Sequence, residues 1–248
     1  MGQRDEERFA WPRVRRPASG ALRRWFAAGW ADLAAAPGPS LFYGATLALM
    51  GLLLTRSFGG AVGIALTTGF LLVGPFLAIG LYELSRRRER GEPQRLAPSL
   101  VAWRANFPAI GFYALALTLL LAVWIRVSVV VVALSFPEGR VDWGSPEAWG
   151  FAAAYAAAGG ALALFVFATS SLSLPLLLDR RDMDTVSAAI VSCNALRVNF
   201  APMLAWAACI VALTAAGFAT YFAGLVVVLP LIGHMTWHAY RELIDPGG

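Results

Sequence analysis

Charge is what this sequence lacks most. Only 14% of its 248 residues are charged, against about a quarter in an ordinary soluble domain. A soluble protein of this size must cover its surface with polar groups, and 20 basic plus 15 acidic residues are few for that. Lysine is missing altogether, so arginine alone carries the positive charge. Cysteine is scarce: Cys193 and Cys209 stand sixteen apart with no C-x-x-C. They read as small core residues, not as a disulfide or a metal site. Histidine occurs twice. The sequence has no P-loop, G-x-S-x-G, H-E-x-x-H or dinucleotide fingerprint. With no visible constellation of acid, base and nucleophile, the expectation is a protein that is not an enzyme and binds no cofactor.

What is present is apolar: 58% of the residues are hydrophobic, and the mean hydropathy is +0.64. The net charge of +5 and pI of 9.8 do not point to nucleic acid, because the arginines flank apolar stretches, as membrane topology requires. Arg23-Arg24-Trp25-Phe26 followed by Ala34-Ala35-Ala36 resembles a twin-arginine signal. Asp32 and the scarcity of leucine in the would-be apolar region predict that it is retained.

The fold class this predicts is an all-α, polytopic membrane helix bundle. Residues 1–20, polar and arginine-rich, read as a disordered cytoplasmic tail. Residues 21–248 read as a single membrane domain. Residues 21–36 form an amphipathic helix with Leu22, Trp25, Phe26, Trp30 and Leu33 on one stripe, expected to lie flat in the interface. Six spans follow, as hairpins at about 39–83, 108–178 and 202–240. A helix needs ~20 apolar residues to cross a ~30 Å core, so segments one (39–55) and five (202–217) are marginal. Segments three (108–135) and four (146–178) are longer than a core requires, so they are expected to project on the outer side. Ser145-Pro146-Glu147 marks a helix start there.

Arginine placement sets the orientation. Seven arginines precede residue 37, six lie between segments two and three, three between four and five, and Arg241 follows six. The other side holds Arg56 and Arg140. The positive-inside rule then puts both termini in the cytoplasm. The expected location is a bacterial inner membrane, with lipids, other membrane proteins or further copies of the chain as partners and no nucleic acid.

A unit of interfacial helix plus spanning hairpin recurs three times. Its junction reads Arg104-Ala105-Asn106-Phe107-Pro108 in the second unit, Arg197-Val198-Asn199-Phe200-Ala201-Pro202 in the third, and a looser Asp32-Leu33 with Pro37 and Pro39 in the first. Each returning helix holds one proline: Pro75, Pro175 and Pro230. These free the carbonyls of Leu71, Ser171 and Val226, which in lipid must find partners inside the protein. They read as packing kinks, or as a shared polar centre or hinge.

Two further positions could carry function. Arg126 is the one charge deep in a predicted span, near the outer edge of the core. It reads as a snorkelling arginine paired with Glu138 or Asp142, or as an anion or headgroup site. His234 and His238 lie four apart on one helix face, a spacing that can present two metal ligands. With Trp237 and Tyr240 alongside, they read instead as part of an aromatic interfacial belt.

The six-span pattern with arginine-rich turns, together with Leu229-Pro230-Leu231-Ile232-Gly233-His234-Met235-Thr236-Trp237-His238-Ala239-Tyr240-Arg241, resembles a bacterial integral membrane family known only as a domain of unknown function. The likeness runs from about residue 30 to the C-terminus. Some relatives carry the label cytochrome c oxidase subunit I. The catalytic oxidase subunit needs six histidine ligands, and this chain has two, so the resemblance implies fold and location and no chemistry. Two functions remain as expectations: a non-enzymatic scaffold or accessory component of a larger assembly, or a small-solute or lipid transporter.

Overall fold

The structure, a computed structural model, describes residues 11–58, 66, 78–136 and 144–245. Its helices in chain order are α1 (Ala21–Ala35), α2 (Pro37–Ser57), α3 (Ile79–Glu89), α4 (Leu96–Leu100), a 3-10 turn (Ala102–Asn106), α5 (Phe107–Ser135), α6 (Pro146–Ser170), α7 (Ser173–Asp179), α8 (Thr185–Val198), α9 (Phe200–Ala219) and α10 (Leu225–Leu243). Two short strands, β1 (Arg13–Val14) and β2 (Ile244–Asp245), complete a nearly all-α fold.

The chain turns into three of its long apolar helices at similar corners. Ala36, between α1 and α2, has φ −137° and ψ 65°. Asn106, before α5, has φ −141° and ψ 63°. Asn199, between α8 and α9, has φ −118° and ψ 43°. A proline stands in the first turn of α2 and of α5, where the missing N–H has no helical partner to lose. At the α6 N-terminus Ser145 caps as expected: its Oγ accepts the Ala148 N–H at 3.2 Å.

Among the described residues, four helical stretches are long and apolar enough to cross a membrane: Pro37–Ser57, Ala102–Ser135, Ala148–Asp179 and Phe200–Ala219. Six were expected. Segment two lies mostly outside the described residues. The sixth is the helix α10, but only its first half is apolar. From His234 onward it alternates polar and aromatic residues and is packed inside the protein, with Met235, Trp237 and Tyr240 all but inaccessible. Segment four is interrupted: α6 ends at Ser170, Leu172 breaks the helix, and Pro175 sits in α7. The break falls at Ser171, whose carbonyl a proline at 175 displaces. Pro230, by contrast, lies inside an unbroken helix.

Three further expectations need correction. First, α1 does not lie flat with its whole stripe outward. Trp25 and Leu33 are buried against the bundle, Phe26 and Trp30 stay exposed, and Asp32 is 1% exposed. The cause is close packing on α10: a methyl group on Gly29 would collide with the Met235 backbone. Second, residues 11–20 are not a disordered tail. β1 pairs antiparallel with β2, Arg15 forms an ion pair with Asp245, and Asn199 Nδ2 donates to the Arg15 carbonyl at 2.9 Å. Third, Cys193 is not a core residue but is exposed, while Cys209 is half-buried and packs against the core.

Helix α10 is gripped through glycine. A methyl on Gly44 of α2 would meet the carbonyl oxygen of Val226, the group that Pro230 leaves without its helical donor. Backbones approach this closely only where a side chain is absent. Gly233 admits Leu81 of α3 in the same way. At the centre of the bundle α7 is enclosed on every side, with Leu174, Leu176, Leu177 and Leu178 wholly inaccessible.

Candidate functional site

Helices α1, α2, α3 and α10 bring a set of polar side chains together at the arginine-rich end of the bundle. His234 is completely buried. Its Nε2 lies 2.9 Å from Ser40 Oγ of α2, and its Nδ1 lies 2.7 Å from Ser85 Oγ of α3. One turn on, His238 Nε2 is 2.8 Å from Asp32 Oδ2 of α1. The other carboxylate oxygen of Asp32 accepts from Arg88. His234 Nδ1 and Asp32 Oδ2 stand 4.0 Å apart, too far for a direct hydrogen bond.

A neutral imidazole carries one N–H, so His234 donates to one of the two serine hydroxyls and accepts from the other. Both ring nitrogens of this buried side chain are thereby satisfied. Burial works to raise the Asp32 carboxyl, but hydrogen bonds from His238, Ser85 and Arg88 outweigh it and hold the group below its ordinary value of 3.8.

A second network closes the same end. Asp179, at the end of α7, accepts from the Tyr240 hydroxyl at 3.0 Å and pairs with Arg241 at 3.3 Å and Arg90 at 3.5 Å. Glu89 accepts from Trp237 Nε1 at 3.1 Å and from Arg241 Nε at 2.9 Å. Arg86, paired with Glu83, donates to the Leu178 carbonyl at 2.8 Å and so satisfies an end group of α7. Trp237 and Tyr240 therefore do not form an interfacial belt. They are buried, and their polar tips are spent on carboxylates inside the protein.

The structure brings His234 and His238 together with Asp32, and it buries Pro230 and Pro175 in the same bundle. It does not bring Arg126 to them: that residue lies on the exposed face of α5. Pro75, and the expected Arg126 partners Glu138 and Asp142, lie outside the described residues. Among the described residues no group of three or more His, Cys, Asp or Glu side chains is arranged to hold a metal, and both nitrogens of His234 are already taken by hydroxyls. Sequence reasoning missed Asp32, Ser40, Ser85 and Arg88. The available signal was an aspartate within the apolar second half of that helix, three residues from a glycine.

Residues 63–179, a little under half of the chain, match the family model described as "Predicted integral membrane protein (DUF2189)". The match covers α3 to α7 and does not include the C-terminal run that first suggested the resemblance. No curated protein and no solved structure matches the chain. Over those residues the chain is similar to an uncharacterised family of integral membrane proteins, and with several apolar helices it is a multi-pass membrane protein.

Proposed function

We propose that this protein is a non-enzymatic scaffold or accessory component of a larger assembly in a bacterial inner membrane. One observation carries the reading: at the candidate site, the buried histidine, serine and carboxylate groups have their hydrogen-bond partners within the protein. A catalytic or ion-conducting centre needs a polar group left free for its substrate. A network closed on itself fixes helix positions instead. The similar corners at Ala36, Asn106 and Asn199 support three repeats of interfacial helix plus hairpin, and hence six spans. The arginine bias and the pairing of β1 with β2 support both termini on the cytoplasmic side.

The transporter reading keeps one observation in its favour, the break between α6 and α7 ahead of Pro175, since discontinuous helices line many transport sites. Cross-linking in native membranes, followed by purification in mild detergent, separates the two. The expected result is a defined assembly larger than the monomer. A lone monomer that moves a small solute or a lipid across proteoliposomes would overturn the scaffold.

A further inference from the structure

Several arginines at the inner end are paired with carboxylates, among them Arg24, Arg86, Arg87, Arg88, Arg90 and Arg241. Arg16 and Arg197 are among those that are not. Among the described residues neither has an acidic partner, both are exposed, and both line one groove of about 720 Å³ beside the start of α9. Arg197 also stands on the rim of a neighbouring trough of about 680 Å³. That trough has α8 along one side and α5 and α6 on the other. Its surface is overwhelmingly apolar, including Leu117, Leu120, Phe165 and Ile190.

The dimensions fit part of an acyl chain. Along α5 the trough runs from Tyr113 to Leu120, about 10 Å at ~1.5 Å per residue, which is within one leaflet of a ~30 Å core. Helix α8 presents Val186 and Ile190, both more than half exposed, to the same surroundings. An apolar trough with Arg197 on its rim, and with Arg16 in the adjoining groove that shares Arg197, matches a molecule with an acyl chain and a negatively charged head. Guanidinium is suited to the phosphate of such a head by its fixed fork of donors.

We propose that the α5–α6–α8 trough is a binding site for one anionic phospholipid drawn from the surrounding bilayer. One acyl chain lies against Leu117, Leu120 and Ile190, and Arg197 and Arg16 hold the phosphate. The inference rests on the membrane-scaffold reading for its leaflet and deepens it by naming a ligand.

The test uses the full chain in nanodiscs of phosphatidylcholine and phosphatidylglycerol at four to one, with retained lipid counted by native mass spectrometry. Wild type is expected to keep one phosphatidylglycerol in preference to phosphatidylcholine. A juxtamembrane arginine contributes about a fivefold preference for anionic lipid, so the double variant Arg16→Gln, Arg197→Gln is expected to lower that preference by roughly thirtyfold. Ala189→Phe, which fills the trough without touching a charge, is expected to abolish retention of either lipid. Equal retention of the two lipids by wild type, or a preference unchanged in the double variant, overturns the site. Assembly size in the same preparations reads out the scaffold separately. Selective phosphatidylglycerol retention by a lone monomer supports the site while the scaffold fails. A large assembly with no lipid preference does the reverse.

Discussion

The bundle at the arginine-rich end and the hairpin of α5 and α6 are built on opposite terms. The bundle buries Trp25, Trp206, Trp237 and Tyr240 almost completely and threads two hydrogen-bonded networks between them. The hairpin turns Phe112, Leu115, Leu119, Val123, Val127 and Leu134 outward and buries one stripe of α5, which runs from Ala109, Ile110, Tyr113 and Leu117 to Trp124, Ser128 and Val132. Its two helices touch through Trp124 over Gly159, through Phe136 against Phe151, and through a Tyr155 to Ser128 hydrogen bond of 2.8 Å. An apolar surface this extended would aggregate in water. The hairpin takes its stability from its solvent, the lipid, and the bundle takes its stability from itself.

That contrast predicts unequal responses to substitution. Asp32→Ala leaves Arg88 and His238 without their carboxylate but within reach of solvent, so it is expected to cost about 2–3 kcal/mol, measured as denaturation of the detergent-solubilised protein. A loss under about 1 kcal/mol would put the centre of stability elsewhere. Gly44→Leu forces α2 off the Val226 carbonyl, and overpacking of this kind costs about 1–3 kcal/mol. A thermal-shift assay showing no change would remove the close helix contact from the account.

Acid should act on the bundle and spare the hairpin. Because the Asp32 carboxyl is held below 3.8 in the folded protein, its contribution is present above that value and is lost as pH falls through the lower folded value. Stability of the wild type is therefore expected to fall below about pH 4, and Asp32→Asn is expected to flatten that part of the curve. Parallel curves for the two proteins would refute the assignment. The smallest effect is expected in the hairpin. Tyr155→Phe removes one hydrogen bond between spanning helices, worth about 0.6 kcal/mol, and a cost above about 2 kcal/mol would make the hairpin a core in its own right.

The hairpin was the more legible region in the sequence. Segment three was expected at 108–135 and α5 runs Phe107–Ser135; the Ser145-Pro146 start of α6 was also expected, and Ser145 does cap it. Lipid-facing helices report their bounds through composition and through caps, which are local. The bundle was less legible because its contacts are not local. Asp32 and His238 are 206 residues apart, and nothing in the residues around either announces the other. A periodicity reading assigns an aspartate to the solvent side, so α1 was placed flat in the interface although its glycine and aspartate face a partner helix. The same reading made Trp237 and Tyr240 a belt, because aromatic residues near charges fit an interface as well as they fit a buried network.

The pairing of β1 with β2 joins Val14 to Ile244, and that bears on the order in which the chain is made. A ribosome delivers α1 first and α10 last. Until the final turns of α10 emerge, Asp32 has no histidine, Trp25 lacks Glu242, to which its indole donates at 2.8 Å, and strand β1 has no edge to join. The inner bundle therefore closes only after Ile244 has been synthesised, and a chain that stops short of it leaves an open strand edge and a half-buried aspartate on display.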